Sequence, residues 1–103
     1  SMKLDSTTIK SKKLARVVRS GDASGINPAH LSRLVDVLFE LRAARSVRDI
    51  PAELKLHQLE FSKGRRMSPE KIQWSIRVSA QWRLVFRIEK ENTVSDLDYV
   101  QYH

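Results

Sequence analysis

The hydrophobic period changes once along this chain, at Pro51, and that change limits the folds open to it. Before Pro51 apolar residues recur at helical spacing; after it they alternate as strand residues do. Leu31, Leu34, Val35, Leu38 and Leu41 follow an i, i+3, i+4, i+7 pattern. That pattern predicts a helix with these five inward and Arg33, Asp36, Glu40 and Arg42 in water. Asn27-Pro28 supplies its start, a capping side chain followed by a residue suited to the first helical turn. A shorter basic helix from Ser11 carries Leu14, Val17 and Val18 on one face and ends in the Ser20-Gly21-Asp22 loop. Thr7 to Lys10 is β-permissive, and Ser46 to Ile50 reads as a helical turn stopped by Pro51.

Beyond Pro51, Leu54, Leu56 and Leu59 flank His57 in a first short strand. Phe61 to Lys71 is polar, basic and aperiodic, with Gly64 and Pro69, and reads as a loop. Ile72, Trp74, Ile76 and Val78 alternate with Gln73, Ser75, Arg77 and Ser79, and Trp82, Leu84 and Phe86 alternate with Arg83, Val85 and Arg87. A less regular strand through Val94, Leu97 and Tyr99 follows. The expected fold is α+β: two N-terminal helices packed on one face of a three- to four-stranded antiparallel sheet, the other face being the working surface. Arg77 belongs on that surface with Ser75 and Ser79. Whether Arg83 and Arg87 join it depends on the Ala80-Gln81 turn, whose register the sequence leaves open.

Composition narrows the function classes. At 103 residues and with no linker, residues 2–103 form one expected domain, Ser1 reading as a remnant of tag removal. There is no cysteine, hence no disulfide or thiolate site, which suits a reducing cytoplasm. No apolar run approaches a membrane span. The net charge of +7 is concentrated: residues 1–20 hold six basic and one acidic group, and residues 54–90 nine and three. Such a field draws polyanions, and phosphate neutralisation supplies most sequence-independent nucleic-acid affinity. The plain alternative is a solvated basic face that aids solubility.

No glycine-rich phosphate loop, His-Glu-x-x-His helix or nucleophile elbow is present, and the carboxylates are scattered, so neither metal nor cofactor is expected. Three His, two Tyr and many Arg and Lys remain. That inventory suits RNA cleavage by the neighbouring 2′-OH, which needs a base, an acid and cations for the charge on phosphorus.

The motifs carry a resemblance. Leu56-His57-x-Leu59, then Trp74-Ser75-Ile76-Arg77-Val78 followed by Trp82-Arg83-Leu84-x-Phe86, then Tyr102-His103, resemble the HigB-like plasmid maintenance killer toxins of the RelE/ParE superfamily over nearly the whole chain. The resemblance implies a RelE-like fold and a toxin that cuts messenger RNA on the ribosome. It also implies a cognate HigA-like helix-turn-helix antitoxin, with operator DNA reached only through that antitoxin. His57, Arg83, Tyr102 and His103 match the family's catalytic positions; Lys63, Arg65, Arg66, Lys71, Arg77 and Arg87 are the expected RNA-binding cations. Glu60 stands where the family has a lysine, with Lys63-Gly64 as a candidate replacement, and Gln101 stands where it has an aspartate. Two other readings share the pattern: a ParE-like gyrase inhibitor and a degenerate binding domain. Each assigned residue has a structural counterpart reading. His57 beside leucines could be a packing residue, Arg83 could pair with Asp96 or Asp98, and Trp74 and Trp82 are best taken as packing residues.

Overall fold

The structure is a computed structural model that describes residues 1–59 and 71–102. Strand β1 (Lys3–Leu4) is followed by a 3₁₀ turn (Ser6–Thr8), helix α1 (Lys12–Ser20) and helix α2 (Pro28–Ala43). Two further 3₁₀ turns (Val47–Asp49 and Ala52–Leu54) lead to β2 (His57–Gln58), β3 (Gln73–Arg77), β4 (Trp82–Glu89) and β5 (Thr93–Gln101).

The helix ends are built as the sequence predicts. Ser11 Oγ accepts from Leu14 N–H at 3.2 Å, and α1 stops at Gly21, whose φ of 73° few side chains tolerate. Asn27 Oδ1 accepts from Ala29 N–H at 2.9 Å ahead of Pro28. The inward stripe of α2 is Leu34, Val37, Leu38 and Leu41, with Leu31 half-buried. Val35 is therefore a correction: it is 49% exposed, and with Phe39 at 68% it forms an apolar pair one turn apart on the outer side. Val37 takes the inward place because it, not Val35, lies three residues beyond Leu34 on the buried stripe.

The sheet differs from the expected three to four antiparallel strands. Among the described residues it has five, in the order β1-β5-β4-β3-β2, and β1 runs parallel to β5 through Lys3 opposite Thr93 and Leu4 opposite Val94. A two-residue strand leaves no alternation to read. Tertiary hydrogen bonds hold it instead: Met2 N–H to Ala44 O, Lys3 N–H to Asn92 O and Asp5 N–H to Val94 O. Thr7 to Lys10 is not a strand either. The Asp5 carboxylate accepts from Thr7 N–H and Thr7 Oγ1, which winds the segment into the 3₁₀ turn. Around His57 the strand is only two residues long, and Leu54 is buried in the preceding turn. The expected loop from Phe61 falls outside the described residues except for Lys71.

Phe86, Leu84, Ile76, Val94 and Leu97 face the helices and form one core with Leu14, Leu34, Val37 and Leu41. Between Val85 and Arg87 the β4–β5 register shifts by one residue, so that Asp96 and Leu97 lie opposite Phe86. Asp96 takes φ 55°, a left-handed conformation that Asp tolerates better than most side chains. This bulge carries Leu97 back to the core side and leaves Ser95 and Asp96 beside Arg87.

Candidate functional site

Register decides what the reverse face of the sheet presents. Arg77 pairs with Arg83, Ser75 with Val85 and Gln73 with Arg87 across β3–β4, and His57 pairs with Ser75 across β2–β3. Directly opposite residues share a face, so both arginine rows and His57 lie on the side away from the helices. The middle of that face is not open, as its expected role required: Ser75, Val85 and Ser95 are buried. Ser75 Oγ, Ser95 Oγ and Arg87 Nε are buried with no hydrogen-bond partner among the described residues. The accessible part is the end bearing His57, Arg77, Arg83 and Tyr102.

Arg77 and Arg83 converge on one atom. Arg77 Nε donates to the Ser79 carbonyl at 3.2 Å, and Arg83 Nη1 donates to the same oxygen at 3.0 Å and to Trp82 O at 3.2 Å. Ser79 sits in the β3–β4 turn, where Val78 and Ser79 N–H both reach Trp82 O. The turn thus aims one carbonyl at two guanidinium groups. Among the described residues neither arginine pairs with a carboxylate. Two like charges in cross-strand register destabilise a sheet unless an anion joins them. Arg83 also lies 5.4 Å from the centre of the Tyr102 ring, in cation–π contact.

Arg87 has a different setting. It donates to Glu89 at 3.3 Å and to Asp96 at 2.5 Å, so its charge is neutralised locally. The carboxylate that could have closed on Arg83 closes on Arg87 instead, because the bulge places Asp96 there.

His57 is exposed, and its Nδ1 lies 3.1 Å from Lys55 O. A carbonyl only accepts, so Nδ1 carries the proton in neutral imidazole and Nε2 keeps its lone pair. Lys55 presents that carbonyl from a left-handed turn at φ 53°. The His57 strand is two strand spacings from that of Arg83, roughly 10 Å at the backbone, with Arg77 between. Long side chains span such a gap around one bound phosphate. Lys71 is exposed just before β3. Lys63, Arg65, Arg66 and His103 lie outside the described residues, as do Glu60 and the Lys63-Gly64 pair.

A second polar cluster lies on the helix side and was missed, because its members are far apart in the chain. Trp82 stacks on Tyr99 with ring centres 4.4 Å apart and planes 22° apart, and the His30 ring is 5.9 Å from that of Trp82. His30 Nδ1 hydrogen-bonds the Tyr99 hydroxyl. His30 is thus occupied in packing α2 onto the sheet. Burial raises the Tyr99 phenol above its ordinary value of 10.0. The folded state holds that proton more tightly than the unfolded chain, so the associated stability is complete below pH 10 and is lost as pH rises through the folded value. Tyr99→Phe should flatten the fall of the urea midpoint above pH 10, and parallel alkaline slopes in the two proteins would refute this.

Among the described residues no three His, Asp or Glu side chains gather as metal ligands, and no helix is long and apolar enough to cross a membrane. Two helices on one sheet face and, on the other, an arginine pair that among the described residues has no carboxylate partner define a small α+β domain. The chain belongs to the HigB-like toxin family, described as RelE-like toxins of type II toxin-antitoxin systems, whose model matches residues 7–103. It is therefore a toxin of a class that is generally endoribonucleolytic, and a type II system implies an antitoxin partner. Comparison with curated proteins gives no match.

Proposed function

We propose that this toxin cuts messenger RNA on the translating ribosome without a metal ion, and that a HigA-like helix-turn-helix antitoxin holds it inactive. The observation that carries the reading is the Arg77–Arg83 pair, held by the Ser79 carbonyl and free of carboxylates among the described residues. Arg83, with Arg77 beside it, binds the scissile phosphate, since a guanidinium fork matches two phosphate oxygens. His57 Nε2 takes the 2′-OH proton as the 2′-oxygen bonds to phosphorus. His103 gives a proton to the departing 5′-oxygen, with Tyr102 beside Arg83 assisting. The P–O5′ bond breaks, leaving a 2′,3′-cyclic phosphate and a 5′-hydroxyl. Lys63, Arg65, Arg66 and Lys71 are the further RNA-binding cations of this reading, and Arg87, already ion-paired, contributes least. Operator DNA is reached through the antitoxin alone.

Mapping RNA 5′ ends after induction tests this. New 5′-hydroxyl ends inside translated codons are expected, and the same transcripts should stay whole in a purified mixture without ribosomes. Intact messages accompanied by DNA breaks would reject the nuclease in favour of a gyrase inhibitor.

A further inference from the structure

A second cationic feature adjoins the arginine pair and shares Arg77 with it. A groove of about 390 Å³ runs between α2, the Ala52–Leu54 turn and the β3–β4 turn, lined by Arg33, Glu53, Lys55, Arg77, Val78 and Ser79 among others. Arg33 reaches it from α2, its Nε donating to Arg77 O at 3.3 Å. That bond uses one of the guanidinium's five N–H donors. Lys55 lines it from the end of the Ala52–Leu54 turn, exposed, on the left-handed residue whose carbonyl accepts from His57. Glu53 also lines it, and among the described residues it forms no ion pair with any of the three cations. Three cations and one carboxylate leave an excess of two positive charges in one concave space.

We propose that this groove holds the phosphate next to the scissile one on the same RNA strand, with Arg33 and Lys55 as its ligands and Arg77 shared between the two positions. Two successive phosphates are the ligand that fits, because Arg77 belongs both to the groove and to the pair with Arg83. A single anion in the groove would leave Arg83 unserved; two linked ones occupy the whole cationic row. The inference takes RNA as the ligand from the reading above, but it concerns binding rather than cleavage.

The test is equilibrium binding of a fully 2′-O-methylated single-stranded RNA, which cannot be cut, to the full-length protein over a range of salt. Each phosphate contact to a single strand contributes about 0.7 to the slope of log affinity against log salt. Arg33→Gln/Lys55→Gln should therefore lower the slope by roughly 1.4 and weaken binding about tenfold or more at low salt. Arg33→Lys/Lys55→Arg keeps both charges and should retain the wild-type slope. A Gln variant with the wild-type slope overturns the site. Wild-type affinity for the free strand combined with weakened binding to ribosomes overturns the same-strand assignment in favour of ribosomal RNA. The nuclease reading fails separately: a reduced slope in the Gln variant with no RNA cut by the wild type leaves the groove standing and removes the cleavage.

Discussion

Replacing Arg83 by alanine is expected to lower the rate of the proposed cleavage of ribosome-bound message about 10²- to 10³-fold, the effect of removing one preorganised donor from a charge-stabilising site. Stability should change by less than about 1 kcal/mol. The side chain is half-buried, holds no carboxylate among the described residues, and gives up only hydrogen bonds to two turn carbonyls and its contact with the Tyr102 ring. Arg83→Lys restores the charge but not the fork, so it should recover only part of the rate. The measurement is single-turnover cleavage on programmed ribosomes beside a thermal melt. Wild-type cleavage by Arg83→Ala would remove the arginine from the chemistry. A melt collapsing in step with the rate would instead make it a structural residue.

Arg83 and Arg87 show where the sequence runs out. They lie four residues apart on one strand face, and the alternation of β4 makes both eligible for the same role. What separates them is the bulge, which brings Asp96 onto Arg87 and leaves Arg83 to the Ser79 carbonyl. Nothing local announces that bulge, since its left-handed residue is an Asp rather than a Gly. Helix ends, by contrast, are decided within three or four residues, and Ser11, Gly21 and Asn27 act as written. The shared face of Arg77 and Arg83 hinged on a turn register, and a one-residue slip there would have turned one row into the core. β1 has two residues and is held by hydrogen bonds to residues 44, 92 and 94, so no pattern within it could be read. The His30–Tyr99 bond spans 69 positions and had no sequence signal. Nothing in the sequence singles out Lys55, since a lone lysine between leucines looks like any solvated cation. Only its place at the mouth of a groove beside His57 sets it apart.

The reverse side of the same strand makes the contrasting case. Phe86 is fully buried at the centre of β4, opposite the bulge and within the core of Leu14, Leu34, Leu84 and Leu97. Phe86→Ala removes most of the ring from a site whose neighbours come from both helices and three strands, so collapse cannot fill the space. The expected cost is about 3–5 kcal/mol. In a domain of this length each kcal/mol moves the melting midpoint by about 4–8 °C, so a fall of roughly 12–40 °C is expected by calorimetry. A shift of only a few degrees would mean that the core does not close around this ring. The two substitutions should part company with temperature. Well below its lowered midpoint Phe86→Ala should still cleave, because Arg77, Arg83 and His57 are held by strand pairing and turn carbonyls on the far side of the sheet. On warming, its activity should disappear together with its fold, whereas the Arg83→Ala defect should be present at every temperature. Strand β4 thus carries the core on one side and the proposed anion site on the other, and the two substitutions are expected to damage one without the other.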